Sequence, residues 1–293
     1  MKAIIPVAGK GKRLYPHTQI IPKALLPTAG KPVLSHIFDR LLNSGVKKVC
    51  LIIGEFSKEI EAFCVNYGKF EFEFVTQGEA LGLAHAIYQA LDSSNDPCLI
   101  LLGDTIINLD YAKLLNSKYN SIGVSKVNDP KRFGIVELNG DRIIKFWEKP
   151  ENPPSNLAIL GIYLIKNQSI LRKAINYLFN NDIKTKNEFQ LTDALSRMLD
   201  IGEVFNKFNI DKYLDCGIPE TLLSTNRVLL DKKLGNAISS TSNIIDSDIK
   251  FSTISDDCTV INSELHNVIM LSGSRVENTH LKDVIVGYNE KIL

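Results

Sequence analysis

The segment after the first apolar run combines glycine and positive charge in a way that suits anion binding. Gly9 and Gly11 can adopt backbone angles closed to other residues, so main-chain N–H groups there can approach a ligand. The positive charges of this segment are those of Lys10, Lys12, Arg13 and Lys23. The planar guanidinium of Arg13 matches phosphate oxygens in particular. The sequence therefore predicts a phosphate-binding loop near the N-terminus.

An acidic residue, Asp104, ends a nearly continuous apolar run, "PCLILLGD". In open α/β sheets, ligands bind at the carboxyl ends of the strands, where both Asp104 and the basic loop are expected. Taken alone, Asp104 could instead cap the turn or helix that follows its strand. The adjacent Glu148 and Lys149 could similarly be an exposed ion pair at a strand end.

Alternating apolar runs and helical patterns indicate the fold that positions these residues. Strands are predicted at "KAIIPVA", "VKKVCLIIG", "FEFEFV" and "PCLILLGD", with helices at "KPVLSHIFDRLLNSG", "SKEIEAFCVNYG" and "LAHAIYQAL". From about Ser121 the pattern becomes rich in strands, followed by helices near Gln168–Asn180 and Leu191–Leu199. The pattern is typical of an α/β fold with a doubly wound, mainly parallel, Rossmann-like sheet.

The C-terminal region, after about Asn236, has a different pattern. Isolated apolar residues recur there at intervals near five or six, at Ile244, Ile249, Ile254, Val260, Leu265, Val276, Leu281 and Val286. This spacing resembles the hexapeptide repeat of a parallel β-helix. We therefore predict a catalytic domain over residues 1–235 and a short left-handed β-helix-like tail over 236–293. The alternative is an irregular, strand-rich tail packed on the main domain.

Composition excludes several classes of function. The 293 residues carry a formal net charge of +1, so no overall field attracts nucleic acid or a membrane surface. The five cysteines form no C-x-x-C pair, which argues against structural zinc and a disulfide framework. The first apolar run is too short for a secretory signal, and no stretch approaches a membrane span. These features predict a cytoplasmic protein.

The ordered motifs resemble one family, the sugar-1-phosphate nucleotidyltransferases. The basic loop reads "GKGKRLYPHT…PKALLP" and is followed in order by "QGEALGLAHAI", "LLGDTI", "DPKRFGIVEL", "FWEKP" and "YLDCG". The chain is most similar to the branch of glucose-1-phosphate thymidylyl- and uridylyltransferases, in the long form that carries a repeat tail. The resemblance implies a reaction of a nucleoside triphosphate, dTTP or UTP, with a sugar 1-phosphate, giving an NDP-sugar and pyrophosphate.

The resemblance also implies roles for residues of the nucleotide site. Arg13 and Lys23 would bind the triphosphate and act in catalysis. Gln77 and Gly82 would contact the pyrimidine. The remaining nucleotide-binding positions of the loop would be Ala8, Gly9, Gly11 and Lys12. Mg²⁺, which prefers oxygen ligands, would be held by Asp104 and Asp215.

For the sugar phosphate, the resemblance implies a separate group of residues. This group comprises Gly134, Glu148, Lys149, Gly161, Tyr163 and Glu188. Glu148 would accept protons from sugar hydroxyls, and Lys149 would bind the phosphate as a third catalytic residue.

Other readings remain open at this stage. The chain could be a catalytically silent paralogue that binds a sugar nucleotide for regulation. A glycosyltransferase is less consistent with the sequence, because no strand end of the predicted catalytic domain carries a D-x-D pair. The tail is short for an acyltransferase. The choice between dTTP and UTP, the hexose, and the oligomeric state are open, with the tail as a candidate contact surface for a homo-oligomer.

Overall fold

The computed structural model describes residues 1–231 and 235–293. The helices are α1 Val33–Leu41, α2 Ser57–Tyr67, α3 Leu83–Ala90, α4 Tyr111–Leu115, α5 Gln168–Asn180, α6 Leu191–Asp200 and α7 Pro219–Asp231. The strands are β1 Lys2–Pro6, β2 Pro27–Thr28, β3 Lys31–Pro32, β4 Lys48–Ile53, β5 Glu71–Thr76, β6 Cys98–Leu101, β7 Thr105–Asn108, β8 Asn120–Lys126, β9 Gly134–Asn139, β10 Arg142–Glu148, β11 Leu157–Ile165, β12 Phe205–Asn209, β13 Lys212–Asp215, β14 Ala237–Ile238, β15 Asn243–Ile245, β16 Asp248–Lys250, β17 Thr253–Ile254, β18 Thr259–Ile261, β19 Glu264–Met270, β20 Arg275–Glu277, β21 His280–Val286 and β22 Lys291–Ile292.

The chain divides into two compact units that are discontinuous in sequence. One, here called the sheet unit, contains Met1–Gly9 and Phe38–Tyr213. The other, here called the loop–tail unit, contains Lys10–Ile37 and Leu214–Leu293. The basic loop thus belongs to the same unit as the C-terminal tail. The domain division at residues 235 and 236 stays a prediction, and residues 232–234 of the predicted catalytic domain lie outside the described residues.

The sheet unit is built on a nine-stranded sheet with the order β5-β4-β1-β6-β11-β8-β12-β10-β9. The predicted strands β1, β4, β5 and β6 pair parallel to one another. β5 carries Glu71 and Glu73 and is only partly buried, whereas β1, β4 and β6 are mostly apolar and buried, with Ala3, Ile4 and Ile5 of β1 fully buried. This burial on both faces is typical of parallel strands covered by helices.

Beyond β6, the sequence prediction of a mainly parallel sheet is wrong, although β8 and β12 do pair parallel. β11 pairs antiparallel with both β6 and β8, and β10 pairs antiparallel with β9 and β12. β9 and β10 form a hairpin in which Asn139 pairs with Arg142 and Gly140 has a φ of 62°. A two-residue loop of this kind needs a residue that tolerates positive φ, which glycine provides. The sheet is therefore mixed, within an α/β fold.

Helix α5 of the sheet unit combines an apolar face with a side-chain cap. Asn167 caps α5 because its side-chain oxygen accepts a hydrogen bond from the Ile170 N–H at 3.2 Å. The buried face of this helix consists of Gln168, Leu171, Ala174, Ile175 and Leu178. α5 has the predicted bounds, and α6 extends one residue beyond its prediction. None of the described helices has the length and apolar character that a bilayer crossing requires. The cytoplasmic location stays a prediction.

The tail stacks short parallel strands at an interval of 16 residues along the chain. Ile244 pairs with Val260, which pairs with Val276, which pairs with Ile292. A second stack contains Ile249, Leu265 and Leu281, and a third contains Ile254, Met270 and Val286. These stacks form one apolar cluster, and they include every apolar position singled out in the sequence of the tail.

Residues with positive φ mark the bends of the tail at the same interval. One series is Asp246, Asn262 and Asn278, a second is Phe251, Asn267 and Asp283, and a third is Asp257, Gly273 and Asn289. Asn and Asp tolerate this conformation better than other non-glycine residues. Side chains of neighbouring turns also pair, as Asn262 Nδ2 donates to Asn278 Oδ1 at 2.9 Å. The polar residues between the apolar positions therefore form the bends.

Candidate functional site

The basic loop of the loop–tail unit folds back on itself around Gly11. This glycine has a φ of 62°, and the hydroxyl of Thr18 donates to its carbonyl at 2.9 Å. A Cβ on Gly11 would lie 3.1 Å from Thr18 Cγ2 and 3.2 Å from Lys23 Cβ. The two cationic ends of the loop are thus brought together by close packing on a glycine. The short helical turn that follows, Lys12–Leu14, leaves Lys12 and Arg13 exposed.

Asp215 and Arg13 meet at Gly217 within the same unit. The Asp215 Oδ1 atom accepts a hydrogen bond from the Gly217 N–H at 2.9 Å. A Cβ on Gly217 would lie 3.0 Å from that oxygen and 3.4 Å from the Arg13 Nη2 atom. Gly217 therefore lies between the Asp215 carboxylate and the Arg13 guanidinium, and its lack of a side chain leaves this space open.

Asp104 lies in the sheet unit, shortly after β6. The preceding Gly103 packs against the end of β1, since a Cβ there would lie 3.0 Å from the Pro6 carbonyl oxygen. The Thr105 hydroxyl donates to Asp104 Oδ1 at 3.2 Å. Asp104 is half-buried. The structure thus places Asp104 at the carboxyl edge of β1 and β6, as the strand pattern predicted.

The two residues predicted to contact the base lie at either end of a short segment before α3. Gln77 donates its backbone N–H to the Ile53 carbonyl at 2.9 Å, and its side-chain amide donates to the Glu79 carbonyl at 3.2 Å. Gly82 precedes α3 with a φ of 119° and a ψ of 173°. A Cβ on Gly82 would lie 2.5 Å from the Phe189 carbonyl oxygen. Gly82 is therefore needed for the close contact with Phe189, independently of its predicted contact with the pyrimidine.

Ala8 and Gly9 end the first segment of the sheet unit. Ala8 lies against Gly54, where a Cβ would be 3.0 Å from the Ala8 carbonyl oxygen. A Cβ on Gly9 would meet no atom within 4 Å. The glycine at position 9 is thus not required by packing among the described residues.

Glu148 and Lys149 contact each other within the predicted sugar-phosphate site. Glu148 is opposite Gly134 in the β9–β10 ladder, and its side chain is only 9% exposed. The Thr192 hydroxyl donates to Glu148 Oε2, and the Lys149 ammonium lies 3.1 Å from Oε1. A carboxylate with both oxygens bound is fixed in position. Sequence reasoning missed Thr192, although "LTDA" at the start of α6 was the available signal.

Gly134 lies beside this carboxylate, and Gly161 lies against Leu102. A Cβ on Gly134 would lie 3.2 Å from Thr192 Cγ2 and 3.6 Å from Glu148 Oε2. Gly161 has a φ of 72°, and a Cβ there would lie 2.7 Å from the Leu102 side chain. Both glycines are therefore required by the packing of the sheet unit, and neither could be replaced without moving a neighbour.

Tyr163 is buried on β11, near two of the predicted acids. Burial raises the pKa of its phenol, and the Glu148 and Asp104 carboxylates raise the same pKa further. The phenol therefore stays protonated at every physiological pH. Asp104 and Glu148 are thus both close enough to Tyr163 to act on its phenol.

Glu188 lies in an exposed turn. Its backbone bonds reciprocally to Thr185, and its carboxylate accepts a hydrogen bond from Gln190 Nε2 at 3.1 Å. Nearby along the chain, Lys186 lines a cavity of about 420 Å³. The other residues lining the cavity are Lys131, Lys149, Pro150, Glu151 and Asn152. Lys131 and Lys186, which the sequence prediction did not include, give this cavity a positive wall beside Lys149.

The donor chemistry of the two predicted metal ligands fits Mg²⁺. Among residues 1–231 and 235–293 no group of three or more His, Cys, Asp or Glu side chains is arranged to hold a metal. Mg²⁺ is commonly bound by one or two carboxylates together with substrate phosphates and water, so it needs no larger protein cage. Asp104 and Asp215 each offer carboxylate oxygens of that kind.

Comparison with known proteins gives the same family. Residues 2–232 match the family model of the nucleotidyl transferases. The chain is 38% identical over 256 residues to the bifunctional protein GlmU of Methanococcus maripaludis, covering 84% of this chain and 60% of that protein. It is 30% identical over 231 residues to the UTP–glucose-1-phosphate uridylyltransferase AglF of Haloferax volcanii, covering 75% and 93%.

A solved structure shows the same fold. A UDP-glucose pyrophosphorylase in complex with UDP-glucose superposes with a TM-score of 0.68 at 24% identity, covering 79% of this chain and 98% of that one. The chain spans 55 to 60% of the length of five related GlmU proteins from Methanococcus and Methanocaldococcus species. On the extent of the family match and the identity to these relatives, the chain belongs to the nucleotidyl transferase family, among the sugar-1-phosphate nucleotidyltransferases.

Proposed function

We propose that this chain is a Mg²⁺-dependent nucleotidyltransferase that joins dTTP or UTP to a sugar 1-phosphate, with glucose 1-phosphate as the expected sugar. The products are an NDP-sugar and pyrophosphate. The observation that carries the proposal is the meeting of Arg13 and Asp215 at the Gly217 N–H, beside a glycine loop rich in lysine. The name of AglF, a UTP–glucose-1-phosphate uridylyltransferase, favours the same substrates.

The reaction is chiefly an electrostatic problem. The sugar phosphate is already an anionic nucleophile, so the attack on the α-phosphorus needs no general base. Two polyanions must be brought together, and negative charge must be stabilised as the phosphorus becomes five-coordinate. Arg13 and Lys23 would offset the charge of the triphosphate and of the departing pyrophosphate.

Asp104 and Asp215 are each proposed as Mg²⁺ ligands. When bound, Mg²⁺ supplies Lewis acidity and a template for the phosphates. The Gly217 N–H holds one Asp215 oxygen, and the Thr105 hydroxyl contacts one Asp104 oxygen. These hydrogen bonds fix the orientation of both carboxylates before any ligand arrives.

The sugar phosphate is proposed to bind in the sheet unit. Glu148, held by Thr192 and Lys149, would accept hydrogen bonds from sugar hydroxyls. Lys149 also lines the positive cavity, where it would contact the phosphate. Gly134, Gly161, Tyr163 and Glu188 complete the proposed surroundings of the sugar.

Two further proposals concern the organisation of the chain. We propose that the tail is a short left-handed β-helix, which the parallel stacks at 16-residue intervals support. The catalytic region is proposed to end near residue 235. A homo-oligomer with contacts through the tail stays a prediction.

The decisive experiment is a matrix of substrates. Four or five nucleoside triphosphates are combined with glucose 1-phosphate, N-acetylglucosamine 1-phosphate and other hexose 1-phosphates in the presence of Mg²⁺, and pyrophosphate release is measured. We expect turnover with dTTP or UTP. A folded protein that releases no pyrophosphate in any combination, yet binds a sugar nucleotide, would instead be the silent regulatory paralogue.

The proposed metal role has a separate test. Asp104→Asn keeps the size of the side chain and removes its charge, and we expect turnover to fall on the order of a hundredfold, the scale of losing one preorganised charge contact. Asp110→Asn serves as a control, because Asp110 caps α4 through the Lys113 N–H. Turnover of Asp104→Asn equal to that of Asp110→Asn would contradict the metal assignment.

A further inference from the structure

A buried asparagine on α7 joins three separate segments of the loop–tail unit. Asn226 is 0% exposed. Its Oδ1 atom accepts hydrogen bonds from the Ala29 N–H at 2.9 Å and from the Thr253 hydroxyl at 2.6 Å. Its Nδ2 atom donates to the Phe251 carbonyl at 3.1 Å. Asn226 therefore connects the turn between β2 and β3 with the tail strand β17 and the bend before it.

The turn held by Asn226 is the C-terminal anchor of the basic loop. It begins at Thr28, directly after the stretch that carries Lys23, and it contains Ala29 at a φ of 47°. A non-glycine residue rarely adopts this conformation and keeps it only where the surroundings enforce it. Gly30 follows at a φ of 83°, and a Cβ there would lie 2.8 Å from Ala237 Cβ. The enforcing contacts thus come from α7 and from the tail.

Thr225, the residue next to Asn226, contacts the backbone of the proposed metal ligand Asp215. The Thr225 hydroxyl donates to the Asp215 carbonyl at 2.9 Å. Thr225 is only 2% exposed. One turn of α7 therefore fixes the backbone at the proposed metal ligand and at the end of the proposed triphosphate loop.

We propose that Asn226 is a positioning residue for the basic loop, residues 10–27, and that the tail segment Phe251–Thr253 takes part in triphosphate binding through it. The proposal rests on the proposed function for its ligand. A loop that is already ordered loses less conformational entropy when it binds, so its affinity is higher. The tail is then a part of the nucleotide site and not an independent appendage.

The first test measures the order of the loop without any substrate. Hydrogen exchange followed by mass spectrometry compares peptides covering residues 10–27 in the wild type and in the variants Asn226→Leu, Thr253→Val and Asn120→Leu. Asn120 is a matched control, since it is 2% exposed and makes three hydrogen bonds, with Glu203, Val204 and Lys166 in the sheet unit. We expect exchange in residues 10–27 to be about tenfold faster in Asn226→Leu, the scale of losing one or two hydrogen bonds, and unchanged in Asn120→Leu.

The second test separates the two substrates. Thr253→Val removes one hydroxyl and keeps the side-chain shape, and Asn226→Asp keeps the acceptor for the Ala29 N–H. We expect Thr253→Val to raise the KM for dTTP or UTP about three- to tenfold, with the KM for the sugar phosphate within about twofold of the wild type. Asn226→Asp should retain more of the loop's protection than Asn226→Leu.

The outcomes distinguish this proposal from the proposed function. Unchanged exchange of residues 10–27 in both Asn226→Leu and Thr253→Val would overturn the proposal, as would equal acceleration in Asn120→Leu. If Asn226→Leu does not fold, the proposal is tested with Thr253→Val, through the hydrogen exchange of residues 10–27 and the KM for dTTP or UTP. A wild type that releases no pyrophosphate disproves the proposed function alone, because the exchange measurement needs no reaction.

Discussion

At the scale of single residues, the proposed sugar-phosphate site depends on side chains that orient the Glu148 carboxylate. Glu148 is nearly buried, and Thr192 and Lys149 bind one carboxylate oxygen each. The sequence indicated Glu148 and Lys149, because they are adjacent and belong to a motif. Thr192 lies 44 positions away on another element, so its contact is decided only by folding.

The contact of Thr192 with Glu148 can be tested through the sugar phosphate. Thr192→Val removes the hydroxyl, and we expect the KM for the sugar phosphate to rise about tenfold, since hydrogen bonds to charged groups contribute about 1.5–3 kcal/mol. Thr192→Ser should restore most of the affinity because it returns the donor. A valine variant with an unchanged KM would show that Glu148 does not depend on this hydroxyl.

Asp193, next to Thr192, has a pKa that links stability to pH. Burial raises the pKa of its carboxyl, a hydrogen bond from Thr185 opposes the rise, and the Glu148 carboxylate raises the pKa further. The folded protein therefore retains a proton at pH values where the unfolded chain has lost it. This contribution to stability is complete below the ordinary pKa of 3.8 and is lost as the pH rises through the folded-state pKa.

Asp193→Asn should remove this pH dependence. We expect the free energy of unfolding of the variant, relative to the wild type, to increase as the pH rises from about 4 toward neutrality, because only the wild type must then bury a charge. Urea denaturation at several pH values measures the difference. A relative stability that is constant or that falls with pH would contradict the assignment.

At the scale of elements, close backbone contacts explain glycines that the motifs only indicated. Gly82 was predicted to contact the pyrimidine. In the structure, the start of α3 lies on the backbone of Phe189, with the Ala84 N–H donating to the Phe189 carbonyl at 2.9 Å and the Phe189 N–H donating to the Leu81 carbonyl at 2.9 Å. These bonds fix the short segment before α3 against the loop before α6.

Gly82→Ala should therefore destabilise the fold itself. The added Cβ would lie 2.5 Å from the Phe189 oxygen, and the backbone angles are nearly restricted to glycine, so we expect a loss of about 2 kcal/mol or more. Gly78→Ala is the matched control, because a Cβ at Gly78 meets no atom within 4 Å. Thermal denaturation of both variants checks this, and equal melting temperatures would contradict the packing argument.

At the scale of the whole molecule, all five cysteines are free and buried. Burial raises the pKa of Cys50 to about 11 and those of Cys64 and Cys98 to about 12. Since the thiolate is the reactive form, these side chains are expected to be inert while the chain is folded. Their role in the structure is that of small apolar residues.

Thiol labelling tests this property of the folded chain. At pH 8 we expect no more than a trace of reaction with a disulfide reagent within minutes, and reaction of all five thiols after denaturation in guanidinium. Rapid labelling of one thiol in the native protein would show that a cysteine is accessible. Peptide mapping would then identify it.

The predictions from sequence succeeded where one local pattern was sufficient. The strands β1, β4, β5 and β6 and the helix α5 formed at the predicted segments, because period-two and helical apolar patterns are local properties. The regular spacing of apolar residues in the tail likewise predicted which residues stack. The pattern did not predict the antiparallel β11, since a buried strand is apolar in either direction, and the prediction did not include α7.

The sequence by itself determined the family, the order of the motifs and the apolar positions of the core and tail, because residue types and short-range periodicity are sufficient for these. Only the tertiary structure decided that the basic loop and the tail belong to one unit, and that Asn226 connects Ala29 with Thr253. These contacts join residues 27 to 197 positions apart, and no local preference of the chain encodes which distant partners will satisfy a buried amide.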